Sequence, residues 1–300
     1  MQLRTLTRWL LFPLLGAMSA CDSAPSGECS IGADCSSGIC DSDGQCNIGV
    51  AADGGSDAQA GDHDAAPSAC GSVVDSIITR DELPMAAGRE ATFRIATGAT
   101  FDTRGEMEDG LRHWNLDGPL ANDVDTDIVL SAVEGAWYAK SFPDASYSTK
   151  LSQDSDLLGV FELSESGLYL LGVVSPAEGI SRTELTYDPP VVLMPLPLEE
   201  GDTWSTDASV SGVASGIFSL YNETYNGSAD ASGELLTPFG TFRVLRTRIE
   251  LTQTIGLLVT TTRQYNFVSE CAGIAASIVS QNNEESLEFS SAAEIRRVIP

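Results

Sequence analysis

Seven cysteines carry the most distinctive chemistry in this sequence, because a thiol can form a disulfide, ligate a metal or hold a covalent group. They are Cys21, Cys29, Cys35, Cys40, Cys46, Cys70 and Cys271. The four between 29 and 46 are spaced C-x5-C-x4-C-x5-C, without the CxxC pairs and histidines of zinc sites. An odd count in an exported chain leaves one cysteine outside the disulfides and six that can pair. We expect disulfides within 29–46, of open connectivity, and between Cys70 and Cys271.

Residues suited to catalysis are scarce. The sequence has no GxSxG motif, and its two histidines are His63, in a polar tract, and His113, beside Trp114. Without a positioned histidine, most catalytic triads and histidine metal sites lose a necessary group. We expect no enzyme activity and no cofactor. A carboxylate-dependent hydrolase stays as an alternative, because acidic residues are abundant.

One acidic segment has the spacing of a calcium loop. "DVDTDIVLSAVE" (123–134) places Asp123, Asp125, Asp127 and Glu134 at the first, third, fifth and twelfth positions of an EF-hand-like loop. The sixth position should be glycine for the sharp turn, but it is Ile128. We interpret the segment as an acidic loop leading into a strand and predict no metal. The four acids remain as a weak calcium candidate.

The amino terminus has the order of a secretory signal peptide. Arg4 and Arg8 precede the apolar run "WLLFPLLGAMSA", which is shorter than the ~20 residues of a membrane-spanning helix. "MSAC" at 18–21 resembles the lipobox of bacterial lipoproteins. The resemblance implies cleavage before Cys21, thioether lipidation of that cysteine and acylation (palmitate) of its amino group, which is enough for stable membrane anchoring. The alternative is an ordinary signal peptide, with Cys21 in a disulfide.

Composition divides the chain into four predicted parts. Residues 1–20 are the signal peptide, and 21–46 form a lipidated, cysteine-rich segment. The latter resembles short "C…DCxSGxC…C" modules in exported proteins of some Gram-negative lineages. Residues 47–69 are rich in Ala, Gly, Asp and Ser and predict an acidic flexible linker. Residues 70–300 form the main domain. We expect an exported protein, lipid-anchored to the cell envelope, at the outer membrane or cell surface rather than the inner membrane.

The net charge of −27 excludes some partners. So acidic a chain is repelled by nucleic acid and anionic lipid headgroups, so we predict membrane attachment only through the lipid on Cys21. The hydrophobic fraction of 42% still supports a folded core. Arg246 and Arg248 share a predicted strand face with Glu250. We expect them to pair with acids of the first half of the chain; an anionic ligand is the alternative.

The predicted fold class is all-β and antiparallel. "DLLGVFELSESGLYLLGVVS" (156–175) reads as a hairpin whose strands are covered on both faces. In "TFRVLRTRIEL" (241–251) the alternation slips at Val244–Leu245, which indicates a β-bulge or a strand between two packed layers. "LLVTTTRQYNF" (257–267) places its apolar residues Leu257, Val259, Tyr265 and Phe267 on one face.

Three stretches resemble a known kind of domain: "YDPPVVLMPLPLEEGDTW" (187–204), "LLTPFGTFRVL" (235–245) and "YNFVSECAGIAAS" (265–277). In the second stretch Pro238 and Gly240 predict the tight turn of a hairpin. The three stretches are similar to uncharacterised exported bacterial domains whose fold is akin to the lipoprotein carriers. The resemblance covers about residues 155–300. It implies an antiparallel sheet curled into a half-barrel, or a sandwich, and a hydrophobic or envelope ligand.

Two non-enzymatic hypotheses follow. The first is a binding protein that holds a hydrophobic or envelope ligand inside the half-barrel. The alternative is a structural or adhesion module that acts through its outer surface. An apolar cavity of several hundred Å³ would favour the first, and a filled core with an exposed apolar patch would favour the second.

Overall fold

Nearly every strand pairs with its sequence neighbour in the computed structural model, which describes residues 76–300. The strands are β1 Glu90–Thr97, β2 Glu106–Glu108, β3 Leu111–Asn115, β4 Val124–Val129, β5 Tyr147–Ser152, β6 Ser155–Ser164, β7 Gly167–Val174, β8 Glu184–Pro195, β9 Thr203–Ala214, β10 Ile217–Thr237, β11 Gly240–Ile255, β12 Leu258–Ser269, β13 Gly273–Ser280 and β14 Ala292–Val298. Short 3-10 turns lie at Arg80–Glu82 and Ala139–Ser141. Within the described part, no helix is long and apolar enough to cross a membrane.

One sheet contains all fourteen strands and is nearly closed into a barrel. From β5 to β14 it is a continuous antiparallel meander, continued by β1 beside β14 and β4 beside β1. The two ends of this path meet at an isolated antiparallel bridge between Ser131 and Ser148. β3 lies outside the path and pairs in parallel with β10. The all-β, antiparallel prediction is therefore confirmed, and near-closure hides most of the backbone edges that an open sheet would leave.

The hairpins predicted from sequence are present. β6 and β7 pair from Leu158↔Val174 to Ser164↔Gly167, and β10 and β11 turn between Thr237 and Gly240. On the inward face, apolar side chains of β5 to β12 form one buried cluster, to which Leu163, Leu185 and Val210 belong. The inside of the barrel is filled by side chains that pack against one another.

The slip at Val244–Leu245 marks a strand buried on both faces. Leu245 belongs to the inner cluster, whereas Val244 packs outward with Trp114 and Phe267. The bulge itself lies opposite, on β10, where the register shifts between Ala229 and Ala231. Of the two explanations the sequence offered, the strand between two layers describes β11, and the bulge belongs to its partner strand.

A second apolar layer covers the outside of β10 to β14. Trp114 of β3 is buried there, stacks edge-on against Phe267 at 5.0 Å between centroids and donates its indole N–H to the Thr103 carbonyl at 2.9 Å. A third cluster, around Tyr138 and Phe142, covers the outside of β6 and β7. These layers explain why the strands beneath them are apolar on both faces.

Arg246 is the polar centre of the outer layer. Its guanidinium, only 3% exposed, donates to Asp230 at 2.8 and 3.1 Å, to Glu288 at 2.8 and 3.2 Å and to the Thr103 carbonyl at 2.5 Å. It also lies over the ring of Tyr265, 4.5 Å from its centroid. Each member of the network is on a different segment, so one cation joins β10, β11, the segment after β1 and the segment before β14.

The pairing of the arginines agrees with the sequence prediction only in part. Asp230 belongs to the acidic part of the chain before residue 236 and accepts from Arg246, with Arg248 at 3.6 Å. Glu288, however, comes from the C-terminal part, as does Glu250, which pairs with Arg263 at 2.8 Å. Burial acts to raise the pKa of Glu288, but hydrogen bonds from Arg246 and Thr103 outweigh it and hold the pKa below its ordinary value.

At the end of the barrel opposite the β9–β10 turn, the first described residues pack against the sheet. Ile78 bridges Leu198 between β8 and β9, and the Cys271 amide donates to the Glu82 carbonyl at 2.8 Å. Cys271 is disulfide-bonded. Its expected partner, Cys70, lies outside the described residues, so that pairing stays a prediction.

Replacing Arg246 with methionine should lower the free energy of unfolding by about 3–5 kcal/mol, because Glu288 would lose its cation and Asp230 would keep only Arg248, at 3.6 Å. Urea denaturation followed by tryptophan fluorescence measures this. The control is Arg243→Met on the same strand, where the side chain is exposed and the change should stay within about 0.5 kcal/mol. Equal losses in the two variants would show that the network does not stabilise the fold.

The lowered pKa of Glu288 also predicts a pH dependence. Its stabilising contribution is complete above the unfolded-state pKa of about 4.5 and disappears as the pH falls through the lower folded-state pKa. Glu288→Gln should therefore be less stable than the parent at pH 7, and the difference should close in acid. Denaturation midpoints of both proteins between pH 7 and 3 measure this. A difference that stayed constant with pH would contradict the assignment.

Candidate functional site

The four acids of the candidate calcium loop do not converge. Three of them lie in or next to β4, and each has its own partner. Arg297 donates to Asp123 at 2.6 Å, Arg94 to Asp125 at 2.6 and 2.9 Å, and Thr92 to Asp127 at 2.8 Å. Glu134 is exposed beyond the strand. Among residues 76–300 no three His, Cys, Asp or Glu side chains are grouped as a metal site would require.

The predicted cysteine sites fall mostly outside the structure. Cys21, the residue of the lipobox resemblance, and the four cysteines of 29–46 are not among the described residues, so lipidation and the pairing within 29–46 stay predictions. The remaining histidine, His113 of β3, has its Nδ1 3.7 Å from a Glu234 carboxylate oxygen. No second histidine or cysteine from the described part joins it.

A groove of about 480 Å³ opens on the outer side of the sheet near His113. Its lining combines the acidic residues Asp102, Glu106, Glu108 and Glu234 with apolar side chains that include Trp114. The two carboxyl groups with shifted pKa values, Asp125 and Glu288, lie outside this groove. Both pKa values are lowered, the first mainly by its hydrogen bond from Arg94, so neither group is tuned as a general acid.

The interior of the barrel contains a buried carboxylate among its apolar side chains. Glu223, 3% exposed, accepts from the Tyr225 hydroxyl at 2.6 Å and from Gln253 at 2.7 Å. Burial, with the neighbouring Tyr187 and Glu223, raises the pKa of Tyr225 well above its ordinary value. Both carboxylate oxygens of Glu223 therefore have hydrogen-bond partners within the protein, and the surrounding side chains leave the group packed rather than facing a chamber.

The feature that stands apart is a set of large apolar side chains in water, which we call the apolar rim. It lies where the β7–β8, β9–β10 and β11–β12 connections meet at one end of the barrel. Its members are Ile180, Ile217, Phe218, Leu220, Ile255, Leu257, Leu258 and Val259. Phe218 is 72% exposed and Leu257 is fully exposed at 103%, so these side chains contribute little to the core.

Two tight turns shape the rim. Ser215 and Gly216 both have positive φ, 50° and 81°, which is the pattern of a type I′ hairpin turn. Gly256 has φ 60° at the first position of the two-residue loop between Ile255 and Leu258, where a type II′ turn needs glycine. The Gly216 amide also donates to the Arg182 carbonyl, which brings the Ile180 loop beside the β9–β10 turn. The result is narrow, projecting tips.

The tips are apolar on both faces of the sheet. β10 and β11 pair only as far as Asn222↔Thr254, and beyond this point the two hairpins continue separately. Side chains alternate along a strand, so Phe218 and Leu220 point to the opposite face from Ile217. All three are exposed. A half-buried strand would show only one apolar face, so the tips are not the edge of the core.

Charge is absent from the tips although it is abundant elsewhere. Residues 208–222 and 251–262 contain no Asp, Glu, Lys or Arg, in a chain where 20% of the residues are charged. Their polar residues are Ser, Thr, Asn, Gln and one Tyr. This combination of exposed apolar and uncharged polar side chains is typical of an interaction surface rather than of an ordinary soluble hairpin.

Sequence reasoning did not identify the rim. The shared face predicted for 257–267 is correct in its alternation, and Tyr265 and Phe267 are buried on it, but Leu257 and Val259 are exposed. The missed signals were the glycines at the turn positions and the charge-free stretches around them. Alternation alone cannot tell a buried position from one that projects beyond its neighbours.

Comparisons with known proteins add little to this geometry. No protein-family model matches the chain. No curated protein matches it either. Among solved structures, the chain is similar to a hypothetical lipoprotein, YmcC, of Escherichia coli K12, with 14% identity and a TM-score of 0.32 over 72% of this chain and 86% of that one. This TM-score is too low to support a conclusion about function, which must come from the residues of this chain.

If the rim is a surface and not part of the core, replacing Leu257 with serine should change the free energy of unfolding by no more than about 0.5 kcal/mol. Phe267→Ala, by contrast, should cost about 3–5 kcal/mol, because it empties a fully buried site. Chemical denaturation of the two variants makes the comparison. A loss of several kcal/mol in Leu257→Ser would place the tip in the core and remove the candidate site.

Proposed function

We propose that this protein is a lipid-anchored, non-enzymatic binding protein of the bacterial cell envelope that contacts a hydrophobic partner through the apolar rim. The observation that carries the proposal is the rim itself: eight large apolar side chains at one end of a barrel, each at least 40% exposed. Each hairpin tip exposes several large apolar side chains within a few residues, and exposed apolar surface concentrated in this way marks an interaction site.

The anchoring part of the proposal depends on the sequence. The MSAC motif at 18–21 resembles a lipobox, and the net charge of −27 opposes attachment to an anionic membrane surface. An acylated Cys21 would supply that attachment. The tract 47–69, as a flexible linker, would let the barrel reach partners away from the anchor.

The filled interior determines which of the two non-enzymatic hypotheses we prefer. A ligand inside the barrel would have to displace side chains such as Val191 and Val210, which are fully buried against their neighbours. One small cavity, of about 50 Å³, lies at the opposite end from the rim, between Ile78, Leu245 and Val268. It is too small for a lipid-sized ligand. We therefore favour action through the outer surface.

In-cell photo-crosslinking tests the proposal. A photoreactive residue in place of Leu257, in the full-length lipidated protein, should give a discrete adduct with an envelope component. The matched control is Phe239, an exposed aromatic residue in the β10–β11 turn at the opposite end of the same strands, which should give none. Equal adducts at both positions, or none at Leu257, would contradict the role of the rim.

The anchor is checked in the same cells. Metabolic labelling with a palmitate analogue should mark the parent protein, and Cys21→Ser should abolish the label. A Cys21→Ser protein that stayed labelled would show that the lipobox resemblance is misleading, independently of the crosslinking result.

A further inference from the structure

We propose that the hydrophobic partner of the apolar rim is a lipid bilayer whose headgroups carry no net charge, and that the two hairpin tips insert into its interfacial layer. This inference rests on the proposed function and names the partner at the same surface. It concerns the tips themselves and is separate from any lipid on Cys21.

The shape of the rim is the first argument. Two-residue turns at Ser215–Gly216 and Gly256–Leu257 end in side chains that face water in several directions. A groove or flat patch fits a folded protein partner, whereas a projecting tip that is apolar on both faces fits a medium that surrounds it. Interfacial segments bury their apolar side chains about 5–10 Å into the boundary between headgroups and acyl chains.

Backbone hydrogen bonding permits this insertion. At the tips the chain pairs with itself, Phe218 with Val213 and Ile255 with Leu258, up to the two-residue loops. A segment entering an apolar layer must satisfy its backbone polar groups internally, since each unsatisfied group costs several kcal/mol. Beyond Asn222↔Thr254 the facing edges of the two hairpins are open, so the tips can enter only the hydrated interfacial layer, where water and headgroup oxygens pair with the open backbone groups.

The residues that flank the apolar tips are uncharged and polar, as is suitable for side chains at the level of the lipid headgroups. Ser209, Ser211 and Asn222 flank the first tip, and Thr252, Thr254 and Thr260 flank the second. Hydroxyl and amide groups can exchange hydrogen bonds with interfacial water and headgroup oxygens. Unlike carboxylates, they carry no charge that would have to be desolvated at this depth.

The negative charge of the chain favours an uncharged membrane surface over an anionic one. A chain of net charge −27 is repelled by anionic lipids, and neither tip carries a lysine or arginine to offset the repulsion. Repulsion of like charges also opposes contact between two copies of this chain. A bilayer of zwitterionic lipid offers an apolar acyl-chain region without that repulsion, so it is the partner that the charge distribution favours.

Vesicle flotation tests the inference. The mature chain, residues 21–300 with Cys21→Ser to remove the lipid, is exported on a non-lipoprotein signal peptide and mixed with phosphatidylcholine vesicles. Phe218→Ser, Leu257→Ser and Leu258→Ser combined should lower the partition coefficient about 10- to 100-fold, because each exposed apolar side chain contributes to burial. Adding phosphatidylglycerol should lower the partition of the parent, and salt should restore part of it.

The matched control carries three serines at exposed apolar positions away from the rim: Met107, Val129 and Leu287, which are 60%, 43% and 53% exposed. Its partition should equal that of the parent. Equal losses in both triple variants would overturn the inference. So would sedimentation analysis showing that the rim variant converts a dimer into a monomer, since the rim would then be a self-contact.

Failure of this inference differs from failure of the proposed function. If vesicle binding is absent but the adduct at Leu257 persists and the one at Phe239 does not form, the rim binds a macromolecule and only the bilayer is wrong. If neither vesicle binding nor the adduct is found, the rim has no hydrophobic partner and both proposals fall.

Discussion

The buried guanidinium of Arg246 is the interaction on which the outer architecture depends. The sheet alone would leave the outward face of β10 to β14 in water, and that face is as apolar as the inward one. Covering it requires loop segments distant in sequence to stay in place. One cation achieves this by binding Asp230 on the neighbouring strand and Glu288 and Thr103 on the covering segments. Because both carboxylates and the cation are largely desolvated, loss of any one leaves the others uncompensated.

Charged side chains are distributed unevenly over the barrel. Within the C-terminal half, arginines are used in ion pairs that hold the layers together, as with Arg263 and Glu250. At the rim, residues 208–222 and 251–262 carry no charge at all. A barrel stabilised around its middle by packed layers can project tips that contribute little to stability. The apolar side chains of such tips can therefore serve binding rather than folding.

Particular elements show how far sequence reasoning reaches. The hairpins at 156–175 and 235–245 were predictable because turn residues separate two β-rich runs, a local signal. The slip at Val244–Leu245 left two explanations open, a β-bulge or a strand between two packed layers, and the structure places Leu245 in the inner cluster and Val244 in the outer one. The acids at 123–134 gave a spacing that resembled a metal loop. In the structure Arg94, Arg297 and Thr92, all distant in sequence, each bind one of them.

The sequence by itself determined the all-β class, the main hairpins and the strong negative charge, because each depends on composition or on neighbours within a few residues. Only the tertiary structure decided that the sheet nearly closes, that its interior is filled, and that Leu257 lies in water while Phe267 is buried on the same strand. The physical reason is that burial depends on what covers a position. For β12 the covering side chains include Trp114 of β3 and Phe289 of the segment before β14, and neither reaches its tip.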